Sequence, residues 1–276
     1  MSLRIVDASA RDGANWVSHA FGLFAKKPLA FSALLALFLF AALVLLVLPY
    51  VGSVMLLMAL PLLGLGFMIA ARSAQRGGPV HAGQMLEALR AADAPARERR
   101  TTLLKLCALY AVTTAAVMLA SDWIDGGTFE RLQALLASAR DAAKQKELNA
   151  LLADGNLRAG LLLRLAGTAL LSIPFWHAPA LVWWQGQGVA QSLFSSTLAC
   201  WRNRAAFLVY GLAWSAAVVG FSVVAGSIFS LLGAAQLAAL AAVPAGLVFS
   251  TVFYVSLLFT YQGCFGDDSA PGVDTA

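Results

Sequence analysis

Charge is scarce in this chain. Only 12% of its 276 residues are Asp, Glu, Lys or Arg, and 60% are hydrophobic. Soluble domains carry about 25% charged and about 45–50% apolar residues. Too little polar surface remains to cover a soluble globule, so the composition is that of an integral membrane protein. Carboxylates are absent altogether from the six apolar segments named below. Proton-coupled transporters rely on ionisable groups within the membrane, and aspartyl intramembrane proteolysis requires a buried carboxylate pair, so both are disfavoured. The three cysteines, Cys107, Cys200 and Cys264, show no metal-ligand spacing. They are expected to be free, buried thiols. HExxH, GxSxG, P-loop and GxGxxG patterns are missing as well. The sequence therefore supplies no catalytic, cofactor-binding or metal residues, and no enzyme activity is expected.

The net charge of +5 could suit nucleic acid. Basic residues collect in the cytoplasmic loops of membrane proteins, however, and that placement accounts for them without a nucleic-acid partner. The first long apolar core begins only after Lys26-Lys27-Pro28. This is too late and too long for a cleavable signal peptide, so the segment is expected to be retained.

What is present is apolar length. Spanning the hydrocarbon takes about 20 mostly apolar residues. Six segments qualify: 29–50, 51–71, 103–121, 160–184, 205–232 and 234–262. The fold class expected is all-α, a polytopic membrane bundle of six helices in three tandem pairs, forming one domain over 1–276. Most of the 19 Lys and Arg lie before the first segment, between the second and third, and before the fifth. The positive-inside rule then places both termini in the cytoplasm.

The pattern also repeats. Trp16, Val17, Ala20, Phe21 and Phe24 share one helical face, and Lys26-Lys27 follows. Val189, Leu193, Phe194, Thr197 and Trp201 do the same before Arg202-Asn203-Arg204, with a shorter version at Met85, Leu86 and Leu89. Each unit reads as an interfacial amphipathic helix, a basic stop and a helical pair. The units expected are 14–72, 83–184 and 187–262. The second helix of each pair carries a proline, Pro61, Pro174 or Pro244, and each is expected to kink its helix. Small residues four apart, such as Gly211 with Ser215 and Gly246 with Ser250, are expected to let helices approach closely. The middle unit has a periplasmic insertion, 122–156. Within it Thr128 is expected to cap a helix over 128–153, with Asp154-Gly155-Asn156 as its stop. The apolar stripe of that helix is expected to pack on the protein or the membrane. A disordered acidic tail, 266–276, ends the chain.

Trp16, Trp176, Trp183, Trp184 and Trp201 fall near the basic residues Lys26, Lys27, Arg202 and Arg204 at the inner interface. These residues, with His177, form the expected lipid-headgroup or interface set. An aromatic belt alone accounts for the tryptophans; a headgroup surface, with cations holding lipid phosphate, accounts for both residue types. His177 is expected at the interface. Arg164, one turn inside an apolar segment, is expected to snorkel to the outer surface.

The stretches Phe175-Trp176-His177-Ala178-Pro179, Ser196-Thr197-Leu198-Ala199-Cys200-Trp201-Arg202-Asn203 and Phe207-Leu208-Val209-Tyr210-Gly211 carry a resemblance. So do the aromatic start from Trp16 to Pro28 and the helix and basic turn from Pro61 to Gly78. Together they resemble the six-helix inner-membrane proteins of proteobacteria, a family known by its location and not by an activity. The layout is more distantly similar to the membrane domain fused to some glycerophosphodiester phosphodiesterases, without their catalytic domain. Arg204 and the enlarged 122–156 loop depart from the family pattern. The resemblance implies fold and a bacterial inner-membrane location, and it supplies no functional residues.

The expected function is a non-enzymatic role in envelope organisation through binding of anionic phospholipid or a membrane-protein partner, a second copy included. The alternative is a channel or transporter for a small or lipidic solute, with the kinked helices opening a central cavity.

Overall fold

A computed structural model describes residues 5–90, 93–138 and 142–266. The acidic tail beyond Gly266 lies outside the described residues. The described chain is all-α and polytopic, with six helical spans long and apolar enough to cross a membrane. Helix α1 (Ala10–Lys26) is amphipathic, and α2 (Pro28–Leu46) and α3 (Val51–Gln75) form the first pair. A 3-10 turn (Ala82–Leu86) and a short α4 (Glu87–Arg90) precede α5 (Ala94–Asp125). The α6 (Thr128–Ser138) and α7 (Ala142–Leu152) helices sit at the far end, before α8 (Gly155–Phe175) and α9 (Ala178–Gln185). Amphipathic α10 (Val189–Arg202) leads into α11 (Arg204–Leu231) and α12 (Ala235–Phe265).

Local chemistry sets several boundaries that differ from those expected. The third span lengthens at both ends into α5, starting beside Asp93 and Pro95 and ending at Gly126, which is left-handed (φ 60°). Proline is tolerated in the first turn, where its missing N–H has no helical partner. The fourth span divides into α8 and α9 around Trp176 and His177. Pro179 near the start of α9 favours this break, because its nitrogen cannot continue the helical hydrogen-bond ladder. The outer helical segment ends at Leu152, beside the expected stop, and Asp154 then takes a second role. Its carboxylate accepts from the Asn156 and Leu157 amides and so caps the start of α8. Likewise the Thr128 hydroxyl donates to the Asp125 carbonyl, 2.7 Å away, and joins α6 to the end of α5. The expected single outer helix is described as two, α6 and α7. They share a small core of Leu132, Leu148 and Leu157, the last belonging to α8. Pro61 and Pro244 lie within continuous helices, and Pro174 lies in the last turn of α8.

Each amphipathic segment packs on the pair that precedes it around the bundle. Helix α1 lies on α11 and α12, the 3-10 turn on α2 and α3, and α10 on α8 and α9. Helix α3 is central, touching α2, α5, α9 and α12. Lipid tails are as apolar as leucine, so close packing and internal hydrogen bonds must hold such a bundle together. Close approach occurs where α1 crosses α11. A Cβ on Gly13 would stand 2.0 Å from the Ala206 carbonyl oxygen. Behind it, a Cβ on Gly263 would stand 2.5 Å from Trp16 Nε1. The expected small-residue contacts are not the ones used. Nothing lies within 4 Å of an added Cβ at Gly211, Gly220, Gly226 or Gly246. No neighbouring helix approaches these glycines closely.

Asn203, between α10 and α11, ties three chain segments. Its side chain accepts from the Ala8 amide (2.6 Å) and donates to the Val6 carbonyl (3.1 Å), and Cys264 Sγ stands 3.5 Å from its amide nitrogen. Alongside, the Val6 amide donates to the Cys264 carbonyl at 2.8 Å. The Arg202-Asn203-Arg204 stretch is thus a buried amide flanked by two exposed cations.

Candidate functional site

A groove of about 1180 Å³ lies between α8, α10, α11 and α12. Its floor is aromatic: Trp176, Phe207, Tyr210, Trp214, Phe249, Phe253 and Tyr254 line it. Trp176 stands edge-on to Phe207 at 5.7 Å and to Phe253 at 6.0 Å, and Trp214 to Phe253 at 5.8 Å. Such edge-to-face contacts hold rings in place beyond what area alone supplies. The floor is also tied by hydrogen bonds. Trp176 Nε1 donates to Thr260 Oγ1 (3.1 Å), and the Tyr210 and Ser256 hydroxyls bond at 2.7 Å. Trp214 stands edge-on to Tyr210 beside the groove, ring centroids 6.4 Å apart.

Charge enters the groove only at one end, through Arg204. Its guanidinium stands 5.7 Å from the ring of Trp201, which is 68% exposed. Arg204 has no ion pair among the described residues, whereas its neighbour Arg202 is paired with Asp7 at 2.7 Å. The arrangement is an open, apolar trough with a free cation and an exposed indole at its rim. Cys200 also lines the trough. Burial pushes its thiol up to about 12, against a smaller opposing effect of Ser196. We expect iodoacetamide labelling of Cys200 at pH 8 to run at least about tenfold slower than for a free thiol, read by mass spectrometry. Labelling at the free-thiol rate would contradict the geometry.

A second cavity, about 220 Å³, lies at the bundle centre. It shares Ser172, Trp176, Phe253 and Tyr254 with the groove and is completed by Pro61, Met68 and Tyr110 among others. No charged side chain lines it.

The residues expected at the interface divide into two groups. Trp201, Lys26, Arg202 and Arg204 are exposed, and Trp176, Trp183, Trp184 and Lys27 are half-buried. Lys27 donates to the Gly78 carbonyl at 2.6 Å, and the Trp183 carbonyl accepts from Arg99 at 3.0 Å. Trp16 and His177 are buried within protein. The α8–α9 break turns His177 inward, where its backbone N–H donates to Ser196 Oγ (3.1 Å) and Nε2 lies 3.2 Å from Thr260 Oγ1. Only Trp176, Trp201 and Arg204 of the expected set come together in the groove.

The structure also assembles a cluster that the sequence reading missed. Arg164 does not snorkel. It is buried, bonded to Asp122 and, at 2.9 Å, to Asp125, with its guanidinium 3.8 Å from the Phe129 ring. Gly160 makes room, since a Cβ there would stand 2.8 Å from Asp125 Cβ. Two acids at the end of one apolar helix, facing an Arg one turn inside its hairpin partner, were the available signal.

Comparison with known proteins gives one informative relative. Over 264 residues the chain is 33% identical to a Burkholderia thailandensis protein named as a probable inner membrane protein, with 96% of this chain and 94% of the relative covered. No family model matches. No solved structure matches.

Proposed function

We propose that this chain, a multi-pass inner membrane protein of the same family as that probable inner membrane protein, binds anionic phospholipid in the α8–α12 groove. An acyl chain lies along the aromatic floor, and the phosphate rests at the rim with Arg204 and Trp201. The role is non-catalytic and serves envelope organisation. Both termini and the Arg204 rim face the cytoplasm, as the distribution of basic residues favours.

The observation that carries this reading is the single unpaired cation at the end of an otherwise uncharged trough. An acyl chain gains little by leaving bilayer for groove, because both are apolar. Selectivity must therefore come from the rim. One basic residue near an anionic headgroup contributes about 1 kcal/mol, close to fivefold in affinity.

Gly211 offers the direct test. It lines the groove, and nothing stands within 4 Å of an added Cβ. Gly211→Phe places a ring in the trough from a position whose Cβ meets no neighbour. In protein purified in mild detergent, lipid mass spectrometry is expected to show loss of retained phospholipid in Gly211→Phe with unchanged melting. Arg204→Gln is expected to weaken anionic lipid about fivefold relative to zwitterionic lipid. Equal lipid retention in both variants and the parent would end the proposal.

A second reading, passage of a lipidic solute, is favoured by the wall that groove and central cavity share at Trp176 and Tyr254. The charge-free lining suits an acyl chain better than an ion. Movement of labelled phospholipid between leaflets of proteoliposomes, lost in Gly211→Phe, would select it over static binding.

A further inference from the structure

At the end of the bundle that holds α1, a separate polar pocket of about 420 Å³ opens beside the last turns of α3. It is lined by Arg72, Ser73, Arg76, Gln84, Glu87 and Trp184, among others. It shares no lining residue with the groove or the central cavity.

Ser73 Oγ donates to the Pro79 carbonyl (2.7 Å). Gln84 Nε2 donates to the same carbonyl (3.0 Å), and its Oε1 accepts from the His81 amide (3.0 Å). Lys27 Nζ pins the adjoining turn at the Gly78 carbonyl (2.6 Å). These groups are spent on holding the loop. Three charged groups are not. Among the described residues, the side chains of Arg72, Arg76 and Glu87 make no hydrogen bond and no ion pair. Arg72 is nevertheless held in place, with its guanidinium 4.8 Å from the Trp184 ring. That stacking uses the face of the guanidinium and leaves its in-plane N–H donors free.

Two guanidinium groups one helical turn apart, with no carboxylate between them, match the donor pattern that recognises phosphate. Glu87, across the pocket and free, would accept from an ammonium group. We infer that this pocket binds a phosphate ester bearing a primary amine, with the phosphate on Arg72 and Arg76 and the ammonium on Glu87. The headgroup of an aminophospholipid and free phosphoethanolamine share this chemistry. The pocket is independent of the groove, so either assignment can fail alone.

The test uses the full chain in phosphatidylcholine nanodiscs, titrated calorimetrically with O-phosphoethanolamine and, separately, with inorganic phosphate. Saturable binding is expected, tighter for phosphoethanolamine. Arg76→Gln, an exposed residue whose loss leaves the wall intact, is expected to weaken both ligands at least tenfold. Glu87→Gln is expected to reduce phosphoethanolamine to the affinity of inorganic phosphate. Native mass spectrometry of nanodiscs doped with phosphatidylethanolamine forms the second arm. Retention that depends on Arg76 there, without binding of the free ester, assigns the ligand to lipid; the converse assigns it to the soluble ester, and either supports the site. Absence of saturable binding in both arms overturns it. So does binding that Arg76→Gln and Arg72→Gln leave unchanged in folded protein. Binding that Glu87→Gln leaves unchanged removes the amine from the assignment. Gly211→Phe is expected to have no effect on either titration.

Discussion

Arg164→Ala is expected to lower stability by about 3–5 kcal/mol, the usual cost of leaving a buried carboxylate without its cation. The carboxylate that matters is Asp125, whose side chain is wholly buried. Asp122 is 52% exposed, so water screens its share of the pair and it adds less. The loss is local in origin. Arg164 fastens α8 to the end of α5, and its guanidinium also rests on Phe129 at the start of α6. Asp125 in turn accepts from the Gly127 amide at 2.9 Å and so shapes the turn into α6. With the cation gone, the repelled carboxylates should loosen the α6–α7 hairpin first, seen as faster amide exchange over 128–138 before the spans are affected. Unfolding in mixed micelles measures the total. Because the penalty arises from an uncompensated charge, neutralising the whole cluster should recover most of it. Arg164→Met combined with Asp122→Asn and Asp125→Asn is therefore expected within about 1–2 kcal/mol of the parent. If Arg164→Ala alone behaved like the parent, the cluster would have no structural role.

That cluster marks the limit of what hydropathy can reveal. The six spans and the three amphipathic segments were legible because transfer of an apolar stretch into lipid depends on composition and period. Partner choice does not. Ending the third span at residue 121 put Asp122 and Asp125 in a loop, and an isolated Arg164 then had only the membrane surface to reach. Pairing across the hairpin changes the balance, since a cation with a carboxylate partner can remain inside. Asn203 was hidden in the same way, between two arginines that fitted a basic stop. The glycines failed in the opposite direction. Gly211 and Gly246 have the spacing of a packing motif but meet no neighbour within 4 Å of an added Cβ, while Gly13 and Gly263 carry tight contacts without a recognisable motif.

The groove was partly legible. Trp201 and Arg204 stood out by residue type and position, and both reach the rim. Its floor did not, because Tyr210, Trp214, Phe249 and Phe253 come from two spans whose relative rotation no single-helix periodicity records.

Tryptophan is the residue on which the two kinds of information diverge, and Trp16 with Trp201 allows them to be separated. Both lie on amphipathic helices beside basic residues, and an indole suits a membrane interface as well as a protein core. Trp16 is only 4% exposed, packed against Gly263 and 5.4 Å from Phe207, whereas Trp201 is 68% exposed. Removing a buried tryptophan from a soluble core costs about 3–5 kcal/mol. Here α1, once undocked, would rest its apolar face in the interface and not in water, which lowers the difference. We expect Trp16→Ala to cost about 2–4 kcal/mol, and Gly263→Ala to destabilise as well, because the added methyl displaces the same ring. Trp201→Ala should change stability by no more than about 0.5 kcal/mol while reducing phospholipid retention. The discriminating measurement is a pair of unfolding curves alongside lipid analysis of the same samples. A large stability loss in Trp201→Ala would show that Trp201 is held within the protein and not at its rim. No stability loss in Trp16→Ala would show that α1 is held by the membrane and not by α11 and α12. The Val6–Cys264 and Ala8–Asn203 hydrogen bonds would then be consequences of docking and not its cause.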